Sequence, residues 1–404
     1  MASSSPGSRS SDGTTPHSGT IDYIARARAM ASVIAAEAEE IERRRELPPS
    51  LRKALIENGF YRLLLPRSLG GAELPPLAFV QVIEEIAKAD ASTAWCLNQT
   101  SGCSMTAAYL DPGTAREVFG APDGILAWGP GPGEARILDG GYRINTTFSF
   151  ASGSHDASWL GAHLPIVERD GRPRLNPDGT PLICTLLFPK SAAKMTDIWH
   201  VVGLRGTGSD QYSVKDLFVP ERFCVARDAS QARYEPGLLY RFSSLQLYAS
   251  GFAGVAMGIA RSTLDAFIEL ARDKIPRGGK HTLRDNNVVQ SQVAQAEAKL
   301  IAARAYLFGA LKKITDEVAC NGQLTLDQRM TIRLAATFAI HQARDVVDIA
   351  YHAAGANAIF AANPFERRFR DIHTVSQQLQ GRQEHYETVG RYRLGLEPDS
   401  LAWL

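Results

Sequence analysis

The residues best suited to ligand chemistry lie in one glycine-rich turn, 199–210, which is followed by an alternating strand that ends at Pro220. Small and charged side chains crowd this turn: Gly203, Arg205, Gly206, Thr207, Gly208, Ser209 and Asp210. Glycines and small residues let backbone N–H groups approach a flat or anionic ligand closely. The turn therefore predicts a contact with a bound cofactor.

A second segment, 148–159, joins an aromatic strand to a turn rich in hydroxyl groups. Phe150 offers an apolar wall to the face of a ring, while Ser152 and Ser154 offer hydrogen bonds to its edge. The simpler interpretation is a strand that ends in a serine-rich turn. Trp128, which precedes a Gly-Pro-Gly-Pro-Gly loop, either lines the same ligand or is an ordinary core residue.

A third segment, 363–373, contains an adjacent Arg370–Asp371 pair and ends at His373. Taken alone, such a pair is most often a solvated ion pair. His373 and, in the second segment, His155 are candidate acid–base groups because histidine titrates near neutral pH. A lone histidine is more often structural, so the sequence leaves both roles open.

Composition restricts the classes of partner. The chain has 404 residues, of which 45% are hydrophobic and 22% charged, and its net charge is +1. Neither nucleic acid nor a membrane surface is therefore an expected partner. Five scattered cysteines without a Cys-x-x-Cys pair predict no metal site and fit a reducing cytoplasm. No apolar run reaches the roughly 18 residues of a membrane span, and the N-terminus lacks a secretory pattern.

The periodicity of apolar residues divides the chain into an arm and three domains. Residues 1–20 are rich in Ser, Gly, Thr and Pro and are expected to be disordered. Helical patterns fill 21–124, short strands fill 125–235 and long helices fill 236–404. The expected strands are 125–127, 136–138, 142–150, 182–188 and 212–219, and the expected long helices are 245–272, 288–316 and 326–353.

The first of these long helices carries apolar residues on more than one face: Leu245, Leu247, Phe252, Val255 and Ile259. Such a helix must bury surface on several sides, which predicts contacts with other subunits and a dimer of dimers. No Rossmann fingerprint, phosphate loop, zinc helix or nucleophile elbow is present in the sequence.

The Gly-Leu-Arg-Gly-Thr-Gly-Ser turn and the Arg370–Asp371 segment resemble those of the acyl-CoA dehydrogenase superfamily, and the resemblance covers about residues 21–395. It implies a mainly α fold with a central β domain: an N-terminal helical domain, a β-barrel-like middle domain and a C-terminal four-helix bundle, assembled as a homotetramer. It also implies a flavin site. The residues that would bind the flavin are Trp128, Phe150, Ser152, Arg205, Gly206, Thr207, Ser209 and Arg370.

The aromatic-Ser-Phe-x-Ser-Gly segment is similar to that of the oxygenase components of two-component flavin monooxygenases. This similarity implies reduced FMN or FAD supplied by a separate flavin reductase, O₂ as co-substrate, and a C4a-hydroperoxyflavin that oxygenates a small organic substrate. We expect His373, Ser154 and Gln378 to hold the substrate and manage one proton. The aromatic-hydroxylating relatives have histidines at the positions of Gln378 and Cys103. Both histidines are absent here, which argues against phenol hydroxylation and leaves N- or S-oxygenation, as in other relatives of this fold, open.

The alternative is an acyl-CoA dehydrogenase that desaturates its substrate, which requires a carboxylate base. In the segment that follows the Arg–Asp pair, Glu384 is the nearest candidate, one residue out of register. A flavin-free scaffold of the same fold is a third hypothesis, against which the intact 199–210 turn argues.

Overall fold

The computed structural model describes residues 22–227 and 232–398; the arm predicted over 1–20 lies outside them. The N-terminal part consists of six helices: α1 (Tyr23–Ala36), α2 (Ala38–Arg44), α3 (Pro49–Glu57), α4 (Pro76–Ala89), α5 (Ala91–Ser104) and α6 (Pro112–Phe119). Side chains at their amino ends explain where several begin. The Asp22 carboxylate accepts the N–H groups of residues 24 and 25, and that of Asp90 accepts Thr93 N–H.

The middle part is a sheet of eight strands: β1 (Leu126–Ala127), β2 (Ala135–Leu138), β3 (Gly141–Phe148), β4 (Trp159–Val167), β5 (Ile183–Pro189), β6 (Lys194–Thr196), β7 (Gln211–Pro220) and β8 (Cys224–Val225). The strands run in the order β6-β7-β3-β2-β4-β5-β8, with β1 beside β4. Pairing is antiparallel except where β4 meets β1 and β2.

The sequence predicted five of these strands and missed β4, β6 and β8. Strand β4 is buried on most of both faces and shows no polar–apolar alternation, while β6 and β8 are too short to give a pattern. The strand expected over 142–150 ends at Phe148, because Phe150 takes a left-handed conformation with φ of 58°.

The C-terminal part confirms the three long helices and adds two short ones: α7 (Ser244–Asp273), α8 (Asn287–Asn321), α9 (Leu326–Ala354), α10 (Phe365–Gln377) and α11 (Glu384–Arg393). Most of the apolar residues of α7 that suggested a dimer of dimers are covered by the chain itself. Leu247, Phe252, Val255 and Ile259 are buried within this chain, where α7 packs against α4 and α9. The reason given for a dimer of dimers was therefore wrong for this helix, although the oligomeric state is a separate question.

One continuous hydrophobic cluster runs through the helices and the sheet, so the three parts share a core. The described residues form a mainly α fold with a central β domain, as expected. None of the helices in 22–227 and 232–398 is long and apolar enough to cross a membrane. The turn 199–210 lies where α2, α5 and α10 meet the sheet. The segments 148–159 and 363–373, which the sequence analysis also selected, adjoin the same turn.

Candidate active site

The glycine-rich turn is held by the protein around it. Leu204 and Gly208 both adopt left-handed conformations, with φ of 51° and 47°. A Cβ at Gly206 would overlap Ile41 of α2, and one at Gly203 would overlap the Arg370 carbonyl of α10. These glycines therefore permit close packing between backbone and neighbouring helices. The structure thus gives these two glycines a packing role, and the contact of the turn with a cofactor stays a prediction.

Three of the predicted site hydroxyls form one buried chain. Trp95 Nε1 donates to Ser152 Oγ at 2.9 Å, and Ser152 Oγ lies 2.6 Å from Ser209 Oγ. Ser209 Oγ is 2.7 Å from Thr207 Oγ1, which donates to the Leu204 carbonyl at 2.8 Å. The structure thus brings Ser152, Thr207 and Ser209 together, with their hydroxyls bonded to one another and to α5.

His155 connects the N-terminal helices to the same turn. Its Nε2 lies 2.7 Å from Asp210 Oδ2, and its Nδ1 lies 2.7 Å from Glu46 Oε2. The other Asp210 oxygen accepts the backbone N–H groups of Ile198 and Trp199. Because both ring nitrogens are engaged by carboxylates, His155 acts as a tie between segments, and the acid–base role considered for it is not supported.

Phe150 and its neighbours present an apolar surface to the outside of the chain. The Phe150 side chain is 63% exposed, and its ring meets Trp199 edge to face at 6.0 Å. Val202, in the adjoining loop, is also exposed. Backbone strain of this kind clusters at ligand-binding sites, and a contiguous exposed apolar surface marks a place where another molecule can bind. A flat aromatic cofactor fits this surface in shape and polarity.

Arg370 and Arg205 share a carboxylate at the other side of the turn. Arg370 Nη1 lies 2.8 Å from Glu42 Oε1, and its Nε lies 2.7 Å from Glu366 Oε2. Arg205 Nη1 lies 3.4 Å from the same Glu42 oxygen. These contacts raise the pKa of Arg370 well above its usual range, with the Glu366 hydrogen bond as the largest cause.

The Arg370–Asp371 pair is therefore not an ion pair within itself. Asp371 is 3% exposed and accepts the Leu204 N–H at 2.6 Å, so it fixes the start of the turn from α10. Burial raises the pKa of its carboxyl group to about 7. The alternative of a solvated pair was wrong, because the two side chains point to different partners.

A second group of aromatic residues lines the junction between α5, α7 and the loop that carries Trp128. The Trp95 and Phe252 rings are 4.0 Å apart, and Cys103 Sγ lies 3.2 Å from the Tyr248 hydroxyl. Gln99 Nε2 donates to the Trp128 carbonyl at 3.4 Å. We call this group, which consists of Trp95, Gln99, Cys103, Trp128, Tyr248 and Phe252, the aromatic pocket. Burial raises the pKa of Cys103 to about 12, so its thiol is neutral at physiological pH.

Sequence reasoning found only Trp128 in the aromatic pocket as a site residue. The others lie on helices α5 and α7, whose apolar and small residues look like ordinary core. Their side chains are largely buried, so even the burial pattern does not distinguish them. The sequence offered one signal for these residues, namely an amide, a thiol and a phenol among the aromatic side chains.

The three residues expected to hold substrate and move a proton are not joined to one another among the described residues. His373 Nε2 lies 2.9 Å from Asp348 Oδ1, and its ring packs 4.4 Å from that of Phe369. The Ser154 hydroxyl is fully buried without a partner. The Gln378 side chain accepts the N–H of Gln380 at 2.7 Å, beyond the end of α10.

Two further features limit the chemistry. Glu384, the candidate base for desaturation, is exposed in the first turn of α11. No cluster of three or more potential metal-binding side chains occurs among residues 22–227 and 232–398.

Comparison with known proteins agrees with this arrangement. Two family models match the chain: Acyl-CoA dehydrogenase, N-terminal domain, over residues 24–116, and Acyl-CoA dehydrogenase, C-terminal domain, over residues 250–381. The indole-3-acetate monooxygenase of Pseudomonas putida is 31% identical over 364 residues, which is 89% of this chain and 90% of that protein.

The oxygenase component of the FADH₂-dependent resorcinol hydroxylase from a Rhizobium strain is 27% identical, covering 95% of this chain and 96% of its own. The crystal structure of the 3-HSA hydroxylase from Rhodococcus sp. RHA1 superposes with a TM-score of 0.86 at 25% identity. The superposition covers 94% of this chain and 99% of that one.

Proposed function

Since the chain belongs to the acyl-CoA dehydrogenase superfamily, in its branch of flavin-dependent monooxygenases, we propose that it is an oxygenase component that acts on a small aromatic compound. A separate reductase would supply its reduced FMN or FAD. The bound reduced flavin supplies the electrons that activate O₂, and the protein supplies the position, the dry surroundings and the proton.

The observation that supports the placement of the flavin is the exposed Phe150 surface. We place the ring system against Phe150, with the edge of the ring toward the turns that carry Ser152 and Ser209. In this proposal Ser152, Thr207 and Ser209 act mainly by fixing the backbone of these turns, since their hydroxyls already bond to one another. Gly206 and Trp128 contribute in the same indirect way.

Arg205 and Arg370 stand beside the turn, and Arg370 Nη1 donates to the carbonyl of the exposed Val202 at 2.6 Å. Both contact Glu42, so the charge that they offer to a phosphate is partly compensated. We propose that they hold the polar tail of the flavin.

The substrate would occupy the aromatic pocket. Its walls are aromatic rings, and its polar groups are a neutral thiol, an amide and a phenol. Such walls suit a flat, apolar ring. The names of two relatives refer to aromatic compounds, indole-3-acetate and resorcinol. We retain His373, Ser154 and Gln378 as the groups that hold substrate or transfer a proton, with Asp348 orienting His373.

We further propose that the domain boundaries lie near residues 124 and 235, and that the protein acts in the cytoplasm as a homotetramer. Apolar side chains on the outer side of α8 support the assembly: Val288 and Ile301 are 65% and 63% exposed. These surfaces would be covered by neighbouring subunits.

The competing reaction, desaturation of an acyl-CoA, would need Glu384 as a base. General-base catalysis contributes typically about 10²–10⁴-fold, so Glu384→Gln would abolish a desaturase. We expect turnover of the Glu384→Gln variant to stay within about tenfold of wild type in an assay with reductase, NADH and O₂. Glu387→Gln, another exposed glutamate of α11, is the matched control. Anaerobic reduction of oxidised flavin by an acyl-CoA, lost only in Glu384→Gln, would replace this proposal by the dehydrogenase.

A further inference from the structure

Arg227 follows strand β8 and lies at the edge of the aromatic pocket. Its guanidinium carbon is 4.9 Å from the centre of the Trp128 ring, and one Nη donates to Oγ of Ser244, the first residue of α7. Its Nε is buried without a hydrogen-bond partner. No carboxylate in the described part of the chain forms an ion pair with it. Among the described residues, this partly buried cation therefore has no anion to compensate for the water that it has lost.

A second arginine in the same region, Arg222, has the carboxylate partner that Arg227 does not have among the described residues. Arg222 also lies over an aromatic ring, with its guanidinium carbon 4.3 Å from the centre of the Phe223 ring. Its charge, however, is compensated by Glu117, which its Nη1 contacts at 2.5 Å. Arg261 and Arg370, which are covered to a similar degree, likewise pair with carboxylates of this chain.

The Arg227 charge acts inside the aromatic pocket. It opposes the rise that burial causes in the pKa of the Cys103 thiol, which belongs to the same group of side chains. The Trp128 ring beneath the guanidinium is fixed from another side, because strand β4 packs on it at Gly161. Arg227 therefore places a positive charge at the edge of the aromatic pocket, over the firmly packed ring of Trp128.

We propose that Arg227 binds a carboxylate on the aromatic substrate and thereby selects aryl carboxylic acids over neutral aromatic compounds. A guanidinium offers paired N–H groups that match a carboxylate, and the Nε of Arg227 is a donor that no described residue uses. The ring of the same molecule would lie against Trp95 and Phe252. This inference rests on the proposed function, since it concerns the substrate of that site.

Equilibrium binding tests the inference without turnover. The probes are indole-3-acetate and indole-3-acetamide, which differ in charge at one group, and the protein is loaded with oxidised flavin. We expect calorimetry to show the acid bound at least about tenfold more tightly than the amide by wild type, the worth of one charge-assisted pair. Arg227→Gln should remove this preference, Arg227→Lys should keep part of it, and Arg222→Gln should keep all of it.

The inference is wrong if wild type binds acid and amide equally or binds neither, or if Arg227→Gln weakens both to the same degree. Steady-state kinetics with reductase and O₂ separate it from the proposed function. If the acid binds selectively but no probe is oxygenated, the proposed function fails and the role of Arg227 stands. If wild type oxygenates neutral indole with a KM no higher than that for the acid, the function stands and the role of Arg227 fails.

Discussion

Ser209 lies at the centre of the hydroxyl chain, 2.6 Å from Ser152 Oγ and 2.7 Å from Thr207 Oγ1. All three hydroxyls are buried. A buried hydroxyl that loses its hydrogen-bond partner destabilises the fold, because nothing then replaces the water that it gave up on burial. This series of hydrogen-bonded hydroxyls therefore helps to fix the shape of two turns, and the affinity for any flavin bound against those turns depends on it.

Ser209→Ala should lower the free energy of unfolding by roughly 1–3 kcal/mol, because both neighbouring hydroxyls lose a partner. Urea unfolding measures this loss, and fluorescence titration measures flavin affinity, which should fall as well. Ser191→Ala, on an exposed residue, is the control. Unchanged flavin affinity in a destabilised Ser209→Ala protein would remove these turns from the flavin site.

Asp371 makes the stability of the protein depend on pH. Burial raises the pKa of its carboxyl from 3.8 to about 7, so the folded state holds a proton that the unfolded state has released. The stability contributed by this proton is fully present below about pH 4 and is lost progressively up to about pH 7. Asp156, whose pKa burial raises to about 6, acts in the same direction.

Asp371→Asn should flatten this dependence, because an amide oxygen can still accept the Leu204 N–H but does not titrate. The difference in unfolding free energy between variant and wild type should move in favour of the variant between pH 5 and 7, by up to about 4 kcal/mol over the full range. Denaturant unfolding at several pH values measures it. Parallel curves for the two proteins would show that Asp371 does not hold the proton.

At the scale of elements, the glycine-rich turn is shaped by the helices that it contacts. Gly206 lies against Ile41 and Ser92, and Gly203 lies against the backbone of α10. The sequence identified this turn from its composition, and identified the long helices from their periodicity. It could not show that the glycines face protein, because close packing between segments more than a hundred residues apart leaves no local pattern.

The same reason explains the other differences. Strand β4 was missed because it is buried on most of both faces, and Trp95 and Tyr248 were missed because helical core and pocket wall have the same composition. The carboxylate partners of both ring nitrogens of His155 come from segments far from it in the sequence, so its residue type alone could not reveal them.

Gly206→Ala should loosen the docking of the turn on α2. The added methyl group would overlap Ile41, which should cost roughly 1–3 kcal/mol in unfolding free energy. Gly309→Ala on α8 is a control that should change the unfolding free energy in the opposite direction, because the added Cβ meets nothing within 4 Å. That change should stabilise the helix by up to about 1 kcal/mol. A neutral Gly206→Ala would show that this contact is not tight in solution.

At the scale of the whole molecule, the chain buries α7 within itself and leaves apolar side chains on α8 exposed. The sequence pattern could not separate these two cases, since both helices carry apolar residues beyond one face. The packing of α4, α7 and α9 shows which of the two helices keeps an apolar surface exposed.

Ile301→Glu should weaken the assembly, because Ile301 is 63% exposed in the single chain. A buried charge in its place should raise the subunit dissociation constant by at least about tenfold. Sedimentation velocity over a range of concentrations measures the change. Gln295→Glu, on an exposed position of the same helix, should leave the proposed tetramer intact. A wild-type protein that sediments as a monomer at micromolar concentration would contradict the proposed assembly.

We propose that this protein transfers an oxygen atom from O₂ to an aromatic substrate with electrons from a separately reduced flavin. The most direct test supplies the protein with a flavin reductase, NADH, indole-3-acetate and ¹⁸O₂, and analyses the product by mass spectrometry. We expect a product that carries one ¹⁸O atom, formed only when reductase, flavin and this protein are all present. A product without ¹⁸O, or product formation that persists without O₂, would contradict it.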